Sequence, residues 1–203
     1  MVSSLGCGRN QSFWGGESVT TDRDRLLSLI RDRAFLQGAV QLSSGEQSNF
    51  YVDGKMVAMM PEGAHLIGEV VYDHIKDMDF NAIGGLAVGA VPMVTSVAVS
   101  CFQHDREAEG FFVRVEAKSH GTKKVIEGRL PEHARVIMVD DVVTSGKSVL
   151  QAIDAVEKAG ASVVLILSIV DRQAGAEELF KKMGYTYNSI FTKEDVMTHA
   201  NAE

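Results

Sequence analysis

Two adjacent carboxylates and the short turn after them are the residues of this sequence best suited to chemistry. Asp140 and Asp141 directly follow the apolar run Val136–Val139, and Thr144–Gly146 lead into a helical pattern. Such a run is typical of a buried parallel strand, and open α/β sheets bind ligands at the carboxyl ends of their strands. The turn and helix start can offer backbone N–H groups to a phosphate, whereas carboxylates repel phosphate and accept hydrogen bonds from sugar hydroxyls. The segment therefore predicts a ribose-phosphate site.

Two other interpretations of this segment compete with that prediction. Gly146-Lys147-Ser148 looks like the end of an NTP-binding P-loop, but that motif needs a glycine where this chain has Asp141. A carboxylate there would repel a triphosphate, so the P-loop is excluded. In a purely structural role, the acids would only end the strand and Ser145 would cap the next helix. The complete order of strand, two acids, turn and helix favours the binding site.

Four segments, in chain order, resemble the motifs of one enzyme family. Residues 136–148 resemble the phosphoribosyl pyrophosphate signature of type I phosphoribosyltransferases, and three others resemble orotate phosphoribosyltransferase motifs: residues 42–53 (N-terminal signature), 112–122 (mobile catalytic loop) and 171–173 (orotate side). The resemblance extends from about Asp22 to Phe191. It implies an α/β type I phosphoribosyltransferase fold, with a central, mostly parallel sheet flanked by helices and a small N-terminal hood.

The resemblance also implies a reaction, in which the 5-phosphoribosyl group passes from phosphoribosyl pyrophosphate to orotate. The products are orotidine 5′-monophosphate and pyrophosphate. Negative charge grows on the leaving pyrophosphate, so the protein must stabilise it and keep water from the electrophilic sugar. By resemblance, Arg114, Lys118 and His120 contact the pyrophosphate, and Lys118 reaches the site of the neighbouring subunit. A homodimer with shared active sites is therefore expected.

The same resemblance assigns roles to the remaining site residues. The expected catalytic residues are Lys118, His120, Asp140 and Asp141. The expected substrate-binding residues are Arg114, Lys118, His120, Asp140, Asp141, Val142, Val143, Thr144, Ser145, Gly146, Lys147, Ser148 and Arg172. Arg172 and Thr144 are assigned to orotate, whose carboxylate suits the fork geometry of a guanidinium group. The alternative for Arg172 is an ion pair with Asp171 or a helix end, and Phe50 and Tyr51 either cover the base or pack in the core.

The chain departs from the family pattern at three places. Val115 stands where the family commonly has a lysine, which removes one charge-assisted contact worth about 1.5–3 kcal/mol. Glu46 and Gln47 replace residues that are often basic. In the glycine-rich stretch 84–90, Ala87 and Val88 stand where some relatives have a lysine, so only backbone contacts to pyrophosphate are predicted there.

The expected cofactor is Mg²⁺, which enters with the substrate. Pyrophosphate and ribose hydroxyls chelate this ion, which keeps most of its waters and needs few protein ligands. No dedicated protein metal site is therefore expected, and Asp140 and Asp141 are candidates for indirect contact.

Composition narrows the class of protein. The chain has 203 residues, 45% of them hydrophobic, and a net charge of −7, which argues against nonspecific nucleic-acid binding. Its apolar runs are too short to span a bilayer, and no cleavable leader is expected. Cys7 and Cys101 are too few for a zinc site, so a reducing, cytoplasmic location is predicted. We expect residues 1–21 to be a disordered extension and residues 22–203 one domain, with hood elements within about 22–60 and the core within about 61–192.

Strand and helix patterns alternate along the chain. Helices are predicted from Asp22, which can cap the first of them, from Pro61, over 92–102, up to Ala159 and over 176–183; Gly160 and Gly184 are expected to end the last two. Strands are predicted at 50–52, 82–86, 110–115, 136–139, 162–170 and 187–191. Alternation of this kind predicts a parallel sheet with helices on both faces.

Two other functions stay open: a phosphoribosyltransferase for another base, such as a purine, and a non-catalytic regulator that senses phosphoribosyl pyrophosphate.

Overall fold

A computed structural model describes residues 20–41, 47–114 and 124–198 of the chain. The helices are α1 (Asp22–Leu29), α2 (Lys55–Ala58), α3 (Pro61–Ile75), α4 (Ala90–Gln103), α5 (Lys147–Lys158), α6 (Ala176–Lys182) and α7 (Lys193–Met197), and a π-helical segment, Ile30–Ala34, continues α1. The strands are β1 (Phe35–Gln41), β2 (Gln47–Val52), β3 (Ala82–Gly84), β4 (Glu109–Val113), β5 (Ile126–Gly128), β6 (Arg135–Val143), β7 (Ser162–Asp171) and β8 (Tyr187–Thr192). The expected extension, residues 1–21, lies outside the described residues apart from Thr20 and Thr21.

A six-stranded sheet with the order β5-β4-β3-β6-β7-β8 forms the centre of the molecule. Neighbouring strands are parallel except for β4 and β5, which are antiparallel at one edge. Strands β1 and β2 form a separate antiparallel pair, the expected hood. The predicted α/β fold with a mostly parallel sheet is thus confirmed.

Strand β6 separates two parts of the hydrophobic core because its side chains alternate between the faces of the sheet. Ile137 and Val139 pack in one cluster with residues of α1, α3 and α4, whereas Val136 and Met138 pack in the other with residues of α5 and α6. The buried residues of α5 recur at helical spacing: Val149, Ala152, Ile153 and Val156. Helices therefore cover both faces, and the strand that carries the acid pair lies inside the sheet, between β3 and β7.

The helix ends follow local signals, with one correction to the sequence prediction. Helix α1 is capped by Thr21, whose hydroxyl accepts a hydrogen bond from the Asp24 N–H at 3.1 Å, so Asp22 is the first helical residue rather than the cap. Gly160 and Gly184 adopt positive φ values of 86° and 85° after α5 and α6, as predicted for helix-ending glycines. Across the described ranges, no helix combines the length and apolar character that a membrane crossing requires.

Candidate active site

The acid pair lies at the carboxyl end of β6, beside the end of β7. The Asp140 carboxylate accepts a hydrogen bond from the Asp141 N–H at 3.1 Å, and the Asp141 carboxylate accepts one from the Val142 N–H at 3.0 Å. Burial, followed by the charge of Asp141, raises the pKa of Asp140. Burial also raises the pKa of Asp141, although the Lys55 ammonium opposes that shift. Two partly desolvated carboxyl groups side by side are suited to a ligand that brings hydroxyl donors or a cation.

Two glycines from different segments enclose the Asp141 side chain. A Cβ atom on Gly54 would lie 2.6 Å from the Asp141 Cβ, and one on Gly89 would lie 2.8 Å from its Oδ1. Both distances are far below ordinary van der Waals contact, so a Cβ at either position would displace the Asp141 side chain. The carboxylate thus lies between the segment after β2 and the loop before α4, with 13% of its side chain exposed.

Lys55 adds a positive charge to this arrangement that is not among the site residues expected from the sequence. Its Nζ lies 2.6 Å from Asp53 Oδ1 and 3.8 Å from Asp141 Oδ2. The sequence contained one sign of such a role, because the charged residues of Asp53-Gly54-Lys55 directly follow a strand. That sign was not sufficient, since nothing in the sequence indicates that residues 53–55 lie beside residue 141.

The turn between β6 and α5 has the conformation expected of an anion-binding loop. Gly146 has φ 75°, and it caps α5 without a side chain, which excludes Ser145 as the cap. A Cβ there would also lie 2.6 Å from the Phe180 ring. The N–H groups of the first helical turn can therefore face a phosphate.

The other predicted residues of this turn differ in exposure. The side chains of Ser145, Lys147 and Ser148 are exposed, and Thr144 is half-buried. The Val143 side chain is 1% exposed in the core, so only its backbone can meet a ligand. Val142 is half-buried at the end of the strand.

The glycine-rich loop 84–89 is pressed against the end of β6. A Cβ on Gly85 would lie 2.4 Å from the Val139 carbonyl oxygen. The Val113 N–H donates to the Gly85 carbonyl and the Ala87 N–H donates to the Val113 carbonyl, both at 2.8 Å, and the peptide between Ala87 and Val88 is cis. The loop is therefore fixed between β4 and β6, at the same edge of the sheet as the acid pair.

Arg172 follows β7 and connects this edge to the hood. Its N–H donates to the Val143 carbonyl at 2.9 Å, and its guanidinium lies 4.5 Å from the centre of the Phe50 ring. Burial lowers the pKa of Arg172. The Asp171 carboxylate accepts a hydrogen bond from the Gln173 N–H at 2.7 Å, which shapes the turn that carries the arginine. Phe50 is buried against Arg172, so it both packs and borders the predicted orotate position.

The predicted catalytic loop begins at the same edge. Arg114 directly follows β4, and its N–H donates to the Val125 carbonyl at 2.8 Å. Lys118 and His120 lie outside the described residues. The structure thus brings residues 140–148, Arg172 and the start of the loop to the carboxyl edge of one parallel sheet, where α/β folds bind their ligands.

Comparison with known proteins first identifies the class of protein to which this chain belongs. Residues 55–197, which include the acid pair, the turn and Arg172, match the family model described as the phosphoribosyl transferase domain. An orotate phosphoribosyltransferase from Nostoc sp. is 40% identical over 179 residues, which cover 88% of this chain and 86% of the relative. One from Bradyrhizobium diazoefficiens is 39% identical over 185 residues, 89% of this chain and 98% of the relative.

Solved structures agree with these sequence relatives. Orotate phosphoribosyltransferase of Mycobacterium tuberculosis H37Rv in complex with phosphoribosyl pyrophosphate has a TM-score of 0.73 and 32% identity, covering 87% of this chain and 99% of that chain. Similarity in sequence and structure therefore extends over most of both chains. The chain belongs to the orotate phosphoribosyltransferase family.

Proposed function

We propose that this chain transfers the phosphoribosyl group of phosphoribosyl pyrophosphate to orotate at the sheet edge where β6 and β7 end. The reaction is that of its family: it forms orotidine 5′-monophosphate and pyrophosphate, a step of pyrimidine nucleotide synthesis. The observation that carries the proposal is the arrangement of an acid pair at the end of β6 directly before a glycine-capped helix. It offers acceptors for a diol beside donors for a phosphate.

The donor substrate is bound by both parts of the segment 140–148, the acid pair and the turn that follows it. Asp140 and Asp141 accept hydrogen bonds from the ribose hydroxyls, and their charge stabilises the cation that develops at the reacting carbon. The backbone N–H groups of residues 144–148 bind the 5′-phosphate, with the dipole of α5 favouring the anion. Gly146 permits the turn because its φ of 75° is accessible to glycine at little cost.

The acceptor base is bound by Arg172 and Thr144. These residues follow the adjacent strands β7 and β6, which supports a shared contact with one planar ligand. The guanidinium of Arg172 takes the orotate carboxylate, and Phe50 keeps that guanidinium in place from the hood. Orotate attacks the sugar itself, so no protein nucleophile is required.

The residues of this edge fit a substrate-borne Mg²⁺. Asp140 and Asp141 provide carboxylate oxygens, the ligands that Mg²⁺ prefers. Among the described residues, no group of three or more acidic, histidine or cysteine side chains is placed to hold a metal. Indirect contact from Asp140 and Asp141 is sufficient for an ion carried by the substrate. When bound, the ion neutralises charge on the leaving pyrophosphate.

The catalytic loop and the dimer complete the proposal. Arg114, Lys118 and His120 contact the pyrophosphate, with Lys118 acting in the partner's site, so the enzyme works as a homodimer. The start of the loop at the end of β4, on the ligand-binding edge, supports this role. A cytoplasmic location is supported by the buried free thiol of Cys101, which is typical of a reducing compartment.

The test is an assay of the purified protein with orotate, phosphoribosyl pyrophosphate and Mg²⁺. We expect orotate absorbance to fall as orotidine 5′-monophosphate forms. Activity with a purine base alone would reject the proposal, and binding of phosphoribosyl pyrophosphate without turnover of any base would favour a regulator instead.

Sharing of the sites is tested separately by mixing inactive variants. Lys118→Ala protein mixed with an Asp140→Asn/Asp141→Asn double variant should recover part of the activity once heterodimers have formed. Heterodimers that stay inactive would contradict a loop that crosses between subunits.

A further inference from the structure

Lys55 brings a positive charge to the acid pair from the hood side of the site. Its Nζ lies 3.8 Å from Asp141 Oδ2, and 41% of the Lys55 side chain is exposed. An ammonium has three N–H donors. One of them serves Asp53. The 3.8 Å separation from Asp141 is an ion-pair distance longer than a hydrogen bond, so a donor is left for an anion that arrives from solvent.

The position of Lys55 is fixed by its neighbours in the chain. Asp53 accepts hydrogen bonds from both the backbone N–H of Lys55, at 3.2 Å, and its Nζ, at 2.6 Å. Gly54 permits this segment to approach Asp141 within a distance that a Cβ would prevent. The lysine also stands at the first position of α2, a short helix that contacts the π-helical segment and α3.

From this geometry we infer that Lys55 is a positioning residue for Asp141 and the counter-charge that lets the acid pair accept an anionic phosphoribosyl donor. The inference rests on the proposed function. Two carboxylates beside a pyrophosphate-bearing substrate would repel it strongly. Lys55 reduces that repulsion, holds the Asp141 carboxylate toward the ribose, and offers its remaining donor to the substrate.

The test compares Lys55→Met with Lys55→Arg in the full chain. Methionine keeps much of the length and apolar stem but removes the charge, whereas arginine keeps the charge. We expect Lys55→Met to raise the Kd for phosphoribosyl pyrophosphate with Mg²⁺, measured by calorimetry, about ten-fold, equivalent to about 1.4 kcal/mol. The KM for the same substrate should rise in parallel, the KM for orotate should stay unchanged, and Lys55→Arg should restore most of the binding.

Lys76→Met is the matched control. Lys76 Nζ also lies 2.6 Å from a carboxylate, that of Asp73, but the pair is on the surface at the end of α3. Its loss should leave both KM values unchanged. Asp53→Asn, which releases Lys55 without removing its charge, should weaken donor binding in the same direction as Lys55→Met but by less.

Two results would overturn the inference: wild-type donor affinity in Lys55→Met, or an equal loss of donor binding in Lys55→Met and Lys55→Arg together with a lower Tm. The second would show that the site needs the lysine only for folding. Failure of the wild-type protein to use orotate would instead reject the proposed function. Calorimetry of donor binding would still decide the role of Lys55 in that case.

Discussion

Replacing Gly54 with alanine tests whether the Asp141 carboxylate must lie where the two glycines hold it. Gly54 has φ −60° and ψ −24°, values that alanine adopts without strain. The added Cβ, however, would lie 2.6 Å from the Asp141 Cβ and 2.8 Å from its Oδ2. Carbon atoms in contact are normally about 3.5–4.0 Å apart, so one of the two groups must move by about 1 Å. The effect of the substitution is therefore steric.

The magnitude follows from that displacement. Overpacking costs about 1–3 kcal/mol, and alanine returns about 0.4–1 kcal/mol by restricting the unfolded chain. We expect the free energy of unfolding to fall by about 1–2 kcal/mol, which lowers the Tm of a chain of this size by about 2–8 °C. A catalytic group misplaced by about 1 Å can cost on the order of a hundred-fold in rate, so kcat/KM for the donor should fall by about that factor.

Steady-state kinetics well below the Tm, with thermal unfolding in parallel, provide the measurement. Gly68→Ala is the control, because a Cβ there would lie 2.3 Å from Ser100 Oγ, between α3 and α4 and not against Asp141. It should lower the Tm and leave kcat/KM near the wild-type value. In addition, Gly54→Ala should lower kcat/KM little further in an Asp141→Asn background, because both changes impair the same carboxylate, although the loss of Tm should remain, since asparagine keeps the Cβ. Unchanged kinetics in Gly54→Ala, or equal kinetic losses in the two glycine variants, would show that catalysis does not depend on where Gly54 holds the Asp141 carboxylate.

Three further predictions follow from the same geometry. Burial and the Asp141 charge raise the pKa of Asp140 above its unfolded value, so the folded protein loses stability as the pH rises from about 4 through the raised pKa. Asp140→Asn should therefore raise the Tm near pH 8 by about 2 °C or more while lowering kcat. The rise in Tm should vanish near pH 4; a rise of equal size at both pH values would exclude titration of Asp140 as its cause. Arg172→Lys should raise the KM for orotate by about ten-fold or more without changing the KM for the donor, since lysine lacks the guanidinium fork, and equal changes in both would argue against a base-binding role. Gly146→Ala should lower the free energy of unfolding by about 1–3 kcal/mol in urea titrations, because φ is 75° and Phe180 leaves no room for a Cβ; wild-type stability would contradict this.

The sequence determined the main strands and helices because their signals are local. The apolar run of β6 and the helical spacing of buried residues in α5 predicted both elements, and Gly160 and Gly184 marked two helix ends. Elements of only a few residues, such as α2, β5 and α7, were not predicted, because a short segment contains too little periodicity to identify. The start of α4 was predicted at Pro92 but lies at Ala90. Helix ends are the least certain feature of such predictions.

The site was predictable where one segment carries it and not where several segments meet. The acid pair and the phosphate turn are contiguous, so their shared position followed from the strand–turn–helix order. The contacts of Asp141 with Gly54, Lys55 and Gly89 join segments far apart in sequence. A single sequence contains no signal for such contacts. The same limit applies to Arg172 and Phe50, whose contact depends on how the hood meets the sheet.

A crystal structure of the protein with phosphoribosyl pyrophosphate and Mg²⁺ would show directly whether the acid pair and the following turn bind the donor. We predict ribose hydroxyls within hydrogen-bonding distance of the Asp140 and Asp141 carboxylates, and the 5′-phosphate on the backbone N–H groups of residues 144–148. Well-defined substrate bound elsewhere, with this edge of the sheet free of ligand, would show that residues 140–148 are not the donor site.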